Sequence, residues 1–362
     1  MMLLVILQEL RQDNIIFAVS PLKSLCEYPF YSRLGIHPKL SLRYKGIQWG
    51  ILGKYIPKRL RNLYGLVTEE EVDVILDSSG FAYSDVWGVD PARITAYESK
   101  RWKKQGKRII FMPQAFGPFN DPNLRKYMKC IVNCADLLYA RDELSYRTLL
   151  DLENNTSKIK VKPDFTGLLD GVVPEHLEID DSAVCIVPNT MVINKGKTPE
   201  RYLPLMVKIV ELLRESSLEP FFLIFGGAED RRLAQQINAS LAKPARIMEE
   251  NEPVKIKGII ESCLALIGSR FHALASSLYS GKVTLGIGWS HKYSYLFKDF
   301  GFEEGLIDPT VPEFELRHIL TYVVEENKRQ DLQLKLRLKA NDIKSESRQL
   351  FKEIRSFVGF PG

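Results

Sequence analysis

The stretch Leu264-Ala265-Leu266-Ile267-Gly268-Ser269-Arg270-Phe271-His272-Ala273-Leu274 sets the reading of the whole chain. An apolar run, a glycine turn and then a helical pattern describe a buried strand that feeds a helix. Ser269 is placed to cap that helix, with Arg270 to His272 in its first turn. The same order recurs elsewhere. Val72–Leu76 leads into Asp77-Ser78-Ser79-Gly80, Arg108–Met112 into Pro113-Gln114-Ala115-Phe116-Gly117-Pro118, and Leu137–Ala140 into Arg141-Asp142-Glu143. Ala183–Val187 leads into Pro188-Asn189, Pro220–Phe225 into Gly226-Gly227, and Val283–Ile287 into Gly288-Trp289-Ser290. Continuous apolar strands that alternate with helices predict an α/β fold with parallel sheets covered on both faces.

The intervening helices carry ordinary signals. Asp121 is a cap followed by Pro122, and Leu124, Met128, Ile131 and Ala135 then repeat at helical spacing. Glu200–Arg214 places Leu203, Val207, Val210 and Leu213 on one stripe. Asp164 reads as a turn or cap residue. The polar, Gly- and Pro-containing stretch Gly171–Ser182 separates two runs of strands and helices. It predicts Rossmann-like domains over 1–175 and 176–312, facing across a cleft, with a charged helical tail over 313–362 that contains one break.

With 362 residues and 45% hydrophobic content the core can be large, and 26% charged residues at this apolar content exclude a disordered chain. The net charge of +5 is too mild for a nucleic-acid-binding signature but leaves room for a cationic pocket that takes an anion. Cys26, Cys130, Cys134, Cys185 and Cys263 are scattered and show no CxxC pair and no clustering with histidine, which points to a reducing compartment, although Cys130 and Cys134 are spaced like a ligand pair. Cys130 and Cys134 lie four apart on or near an apolar helix face and read as small core residues. His37, His176 and His318 have no supporting partners, and no metal is expected. The apolar opening Met1–Leu7 lacks a basic lead and a cleavage site, so a cytoplasmic protein is expected.

In parallel α/β folds, ligands bind outside the carboxyl ends of the strands. Three such turns present a cation: Arg141, Arg270 and Lys292. A helix start after Ser269 would favour a phosphate or carboxylate, with Arg270 adding a guanidinium fork and His272 a proton donor. The same spacing also fits a capped helix with a surface arginine and a buried, satisfied histidine. Gln114 and Asn189 stand at strand ends. His291 either orients Lys292, contacts an acceptor or is a plain surface residue. Asp77 and Asp85 flank Gly80 and would either accept sugar hydroxyls or hold a turn.

The strings VDVILDSSGFAYSDVWG, IIFMPQAFGPF, CADLLYARDELSY, VKPDF, IVPN and IKGIIESCLALIGSRFHALASSLYSGKVTLGIGWSHKY occur in this order between Val72 and Tyr293. As an ordered set, and above all in SRFHA followed by GWSHKY, they resemble the polysaccharide pyruvyl transferase family, in its exopolysaccharide-biosynthesis branch. The resemblance implies two facing Rossmann-like domains of the glycosyltransferase-B type. It implies transfer of pyruvate from phosphoenolpyruvate to a lipid-linked or nucleotide-linked saccharide, giving a pyruvate ketal without a cofactor. Carried over by position, Arg141 and Arg270 would hold phosphoenolpyruvate, His272 would be the catalytic acid, and Lys292 would add a further cation. Ser269, Asn189, Gln114, His291, Gly80 and Asp85 complete the expected substrate-binding set.

Two departures from the family stand out. The chain begins at what reads as the first helix, Met1–Gln12, so the usual first strand and its glycine-rich turn are expected to be missing. Phe225-Gly226-Gly227 lacks a nearby histidine. Two other functions fit the same architecture: a nucleotide-sugar-dependent glycosyltransferase, and a non-catalytic saccharide-binding descendant. Peripheral membrane contact through Lys335, Arg337 and Lys339 competes with a simple solvated helix face.

Overall fold

The computed structural model describes residues 1–12, 14–20, 28–41, 43–44, 47–153, 157–175 and 177–359. Cys26 and His176 lie outside the described residues. In chain order the strands are β1 (Ala18–Val19), β2 (His37–Pro38), β3 (Arg43–Tyr44), β4 (Ile47–Gln48), β5 (Val74–Asp77), β6 (Arg108–Gln114), β7 (Leu137–Ala140), β8 (Ile159–Val161), β9 (Ala183–Val187), β10 (Glu219–Ile224), β11 (Ile247–Glu249), β12 (Ala265–Gly268) and β13 (Val283–Gly286). All seven strands expected from apolar runs form. The α/β class with parallel sheets is therefore observed.

Two compact units divide the chain. One comprises Met1–Val5 with Asp164–Gln349, the other Ile6–Pro163 with Leu350–Gly362. This corrects the expected boundaries. The division falls at Pro163–Asp164 rather than in Gly171–Ser182, because that stretch is tied into the first unit, where Val172 N–H donates to the Val254 carbonyl at 2.9 Å. Nor is 313–362 a domain of its own. The helices Glu313–Val324 and Glu326–Val358, broken at Glu325 as expected, bury Leu316, Leu320, Val323, Leu332 and Leu336 in the core of the first unit.

The sheet of the first unit is wholly parallel, in the order β11-β10-β9-β12-β13. The chain builds outward from β9 through β10 to β11, then returns to lay β12 against the other side of β9. That reversal opens a topological switch point between β9 and β12, where such sheets bind ligands. Strands β9, β10, β12 and β13 are buried on both faces, which explains their unbroken apolar runs. On the Pro199–Glu215 helix, Tyr202, Leu205, Met206, Ile209, Val210 and Leu213 are buried, while Leu203 and Val207 are only half-buried. The buried stripe is therefore rotated slightly from the expected one.

The second unit has the sequential parallel order β5-β6-β7-β8, with β1 and β2 forming a separate parallel pair. Its core includes Ile109, Phe111, Leu124, Met128, Ile131 and Leu138. Asp121 caps the Pro122–Cys134 helix by accepting from Asn123 N–H at 2.7 Å and Leu124 N–H at 3.1 Å. The opening helix forms as Met2–Leu10. Among the described residues no helix is long and apolar enough to cross a membrane.

Candidate functional site

In the first unit the carboxyl ends of β9, β10, β12 and β13 deliver, respectively, Asn189, Gly226-Gly227, Ser269–His272 and Trp289–Lys292. The turn after β12 is anchored by three bonds. The Ser269 carbonyl accepts from Asn189 Nδ2 at 2.9 Å and from the Tyr293 hydroxyl at 2.8 Å, and Ser269 Oγ bonds the Tyr202 hydroxyl at 2.8 Å. Burial pushes the Tyr202 phenol up to about 12, and burial likewise raises that of Tyr293, so both stay protonated at neutral pH.

This anchoring corrects the expected cap. Ser269 is fully buried and engaged by Tyr202, so it does not cap the Phe271–Tyr279 helix; Arg270 occupies that position with φ −92° and ψ 116°. Asn189 is itself a cap, its Oδ1 accepting from Met191 N–H at 3.0 Å. With both ends of its amide engaged, Asn189 positions the switch-point turn.

Arg270 turns toward the end of β10. Its Nε donates to Asp230 Oδ2 at 2.5 Å, its Nη2 pairs with the same carboxylate, and Nη2 also reaches the Gly226 carbonyl at 3.3 Å. The guanidinium lies 5.9 Å from the Phe225 ring centroid. Asp230 is almost fully buried and accepts in addition from Thr190 N–H and Oγ1, each at 3.0 Å. Arg270 is therefore a braced cation, and Nη1 is the nitrogen of the fork that these bonds leave for a ligand. Gly226 is required here because a Cβ would overlap both the guanidinium and the Asp230 carboxylate. This accounts structurally for glycine at a position where the family resemblance suggested a histidine nearby.

His272 is the second residue of the nine-residue Phe271–Tyr279 helix and is half-buried, its ring edge-on to Phe271 at 5.6 Å. His291 and Lys292 open the helix that follows β13. The Lys292 ammonium stands 4.9 Å from the Trp289 ring centroid, 5.2 Å from Phe271 and 5.5 Å from Tyr293. Three aromatic rings thus hold this cation by cation–π attraction. The Phe271 ring touches both His272 and Lys292, so the two are neighbours across one side chain. His291 packs edge-on to Tyr295 at 6.3 Å. Two nine-residue helices therefore begin at adjacent strand ends, and both starts favour negative charge.

The second unit has its own strand-end cluster. Gln114 is fully buried and its Nε2 donates to Asp77 Oδ1 at 3.1 Å, while Asp77 Oδ2 accepts from the Tyr83 hydroxyl at 2.8 Å. Asp85 accepts from Asn120 N–H at 2.9 Å and Asp121 N–H at 3.2 Å, which ties two loops together. Its carboxylate thus holds a turn, one of the two roles expected of it. Gly80 adopts φ +73° and its carbonyl accepts from Ala115 N–H at 3.0 Å, a turn that glycine enters without strain. Arg141 is buried at the end of β7, its N–H donating to the Gln114 carbonyl at 3.0 Å. The next residue, Asp142, caps the Glu143–Leu150 helix through Ser145 N–H at 2.8 Å.

Sequence reasoning missed Asp230, Tyr202, Tyr293 and the Phe271–Trp289 pair. The one available hint was the Gly226-Gly227 turn, which marks a close approach of backbone to something else. Cys130 and Cys134 border a groove of about 460 Å³ between two helices of the second unit, so they sit at the rim of the core rather than within it. Among the described residues no group of three or more His, Cys, Asp or Glu side chains could hold a metal ion.

The switch point of this parallel sheet thus gathers a braced guanidinium, a helix-start histidine and an ammonium among three aromatic rings. A family model described as polysaccharide pyruvyl transferase matches residues 2–291, and the chain belongs to that family of transferases. No curated protein matches the chain. Among solved structures, HepE of Anabaena in complex with UDP-glucose is 11% identical, with a TM-score of 0.61 over 98% of this chain and 95% of that one. UDP-GlcNAc 2-epimerase from Neisseria meningitidis, bound to UDP-GlcNAc, is 10% identical, with a TM-score of 0.61 over 97% and 95%. A putative UDP-N-acetylglucosamine 2-epimerase from Listeria monocytogenes is 11% identical, with a TM-score of 0.57 over 93% and 88%. At these identities the likeness is one of fold, the two-domain glycosyltransferase-B type.

Proposed function

We propose that this transferase moves pyruvate from phosphoenolpyruvate to a pair of saccharide hydroxyls, forming a cyclic ketal in cell-surface polysaccharide synthesis. The observation that carries this reading is the set of Arg270, His272 and Lys292 at adjacent strand ends of one sheet, with two helix starts beside them. Phosphoenolpyruvate brings a carboxylate and a phosphate, and this set offers two cations and a proton donor. His272 protonates the methylene carbon, which makes C2 electrophilic. A sugar hydroxyl adds to C2 and its proton restores His272. The second hydroxyl displaces phosphate, which carries away the remaining proton. Arg270 and Lys292 stabilise the departing phosphate charge. Arg141, at the strand ends of its own unit, is a separately testable contact for the donor.

The test is phosphate release from phosphoenolpyruvate with lipid-linked and nucleotide-linked saccharides, run beside UDP- and GDP-sugars. Release with phosphoenolpyruvate alone among the donors supports the reading. Turnover of a nucleotide sugar instead would make the protein a glycosyltransferase, and turnover of neither donor would make it a saccharide-binding descendant. His272→Ala is expected to lower turnover by about 10²–10⁴-fold, the usual contribution of a general acid, while phosphoenolpyruvate still binds by calorimetry. Arg141→Ala and Arg270→Ala are expected to weaken that binding.

A further inference from the structure

The segment Trp49-Gly50-Ile51-Leu52-Gly53-Lys54-Tyr55-Ile56-Pro57-Lys58-Arg59-Leu60-Arg61-Asn62-Leu63-Tyr64 carries Lys54, Lys58, Arg59 and Arg61 and no acidic residue. Its helix, Lys58–Leu63, is turned inside out. Arg61 is only 8% exposed, pairs with Glu71 and donates from Nε to the Ile56 carbonyl at 3.1 Å. Leu60, Leu63 and the C-cap residue Tyr64 share one stripe and are 50%, 73% and 67% exposed. The preceding turn adds Leu52 at 51% and Tyr55 at 74%.

This orientation is enforced. Glu71 is fixed by Thr68, whose N–H donates at 2.9 Å and whose Oγ1 donates at 2.8 Å. Rolling the helix to bury its leucines would break the Arg61–Glu71 pair and the bond from Arg61 Nε to the Ile56 carbonyl. Five large apolar side chains are thus held in water on one short segment, and a patch of that kind marks an interaction surface. Lys58 and Arg59 are exposed beside it; Lys54 is exposed too and stands 3.7 Å from Glu70.

The chemistry of the patch selects its partner. Leucine and tyrosine flanked by lysine and arginine match the boundary between headgroups and acyl chains. A second copy seated on the same face would set like charges against each other. We infer that Leu52–Tyr64 docks this protein on an anionic phospholipid surface. The inference is independent of the proposed reaction. The C-terminal helix is the poorer candidate for such contact. Its Leu332, Leu336 and Ala340 are buried in the core, and the side with Lys335, Arg337 and Lys339 exposes two large apolar side chains, Leu334 and Leu338, against five on the patch.

The test is co-sedimentation of the full chain with phosphatidylcholine vesicles, with and without phosphatidylglycerol. Binding is expected to the phosphatidylglycerol vesicles and to fall with added salt. Lys58→Gln with Arg59→Gln should weaken it roughly thirtyfold, about fivefold for each charge removed near such a surface. Leu63→Ser with Tyr64→Ser should abolish it, and both double variants should keep the wild-type melting midpoint because the replaced side chains are exposed. Failure of the wild type to bind either vesicle would overturn the inference, as would wild-type binding by both variants. Self-association by sedimentation velocity that disappears in the Leu63→Ser/Tyr64→Ser variant, with no vesicle binding, would assign the patch to a second copy instead.

Discussion

Asp230 grips Arg270 from forty residues away, a nearly fully buried carboxylate accepting the Nε of a half-buried guanidinium at 2.5 Å. The pair fixes where the end of β12 can present positive charge. A braced arginine would lose little freedom on meeting an anion, which makes Asp230 the first partner to test for the proposed binding of phosphoenolpyruvate.

Asp230→Asn keeps an oxygen acceptor for Thr190 but gives up the charge that holds Arg270. Its expected effect is a KM for phosphoenolpyruvate raised about tenfold, the worth of one charge-assisted hydrogen bond, with a lowered melting midpoint because Arg270 loses its ionic partner. Steady-state kinetics beside a thermal melt check both. Asp230→Ala should in addition lose about 3 kcal/mol in urea denaturation, because it leaves a partly buried cation unpaired.

Gly226→Ala places a methyl group where Arg270 and Asp230 already sit. The pair must move apart, at about 1–3 kcal/mol of overpacking. Calorimetry should show weaker phosphoenolpyruvate binding in this variant, whereas Gly80→Ala, whose Cβ meets nothing but whose φ is +73°, should alter stability without altering that affinity.

Much of this fold was legible in the sequence, and what was not has a physical cause. Seven strands announced themselves as apolar runs, six of them because parallel strands buried on both faces must be apolar, while half-buried β5 stands at its sheet's edge. The strands Ile159–Val161 and Ile247–Glu249 did not, being three-residue edge strands whose Lys160 and Glu249 dilute the signal. The strand-end rule located Arg270, His272 and Lys292. It could not find Tyr202 or Asp230, because a hydrogen bond spanning 67 or 40 residues leaves no local pattern. Ser269 was assigned the cap by residue type, and burial beside Tyr202 gave its hydroxyl another partner.

In the second unit, Glu69 is 4% exposed and is held by Arg101 at 2.5 and 2.8 Å and by Lys39 at 3.4 Å. Burial alone would raise its carboxyl, but the hydrogen bonds and charges of Arg101 and Lys39 hold it below the ordinary 4.5. A depressed carboxyl stabilises the fold above that ordinary value, and the stabilisation is lost as pH falls through the folded-state value. Glu69→Gln should cost about 3 kcal/mol at pH 7 in urea denaturation, and the gap to the wild type should narrow as pH drops below 4.5.

Lys257 gives a pH dependence of the same sign in a higher range. It is 1% exposed, donates to the Leu169 carbonyl, and burial depresses its ammonium from 10.5 to about 8. Between those values the unfolded chain holds a proton that the folded chain has released, so stability rises with pH. Urea midpoints of the wild type minus those of Lys257→Met should therefore increase from pH 8 toward pH 10.5. A flat difference would show that Lys257 does not titrate with folding.

The three rings around the Lys292 ammonium supply a built-in optical gauge. Trp289 is one of four tryptophans in the chain, and its indole centroid stands 4.9 Å from that ammonium. A nearby positive charge shifts indole emission, so a phosphate that draws the ammonium off the ring changes the colour of the light Trp289 returns. Ligand titrations can then be followed by fluorescence without any label, and in Trp289→Phe the other three tryptophans should emit without the ligand-dependent change.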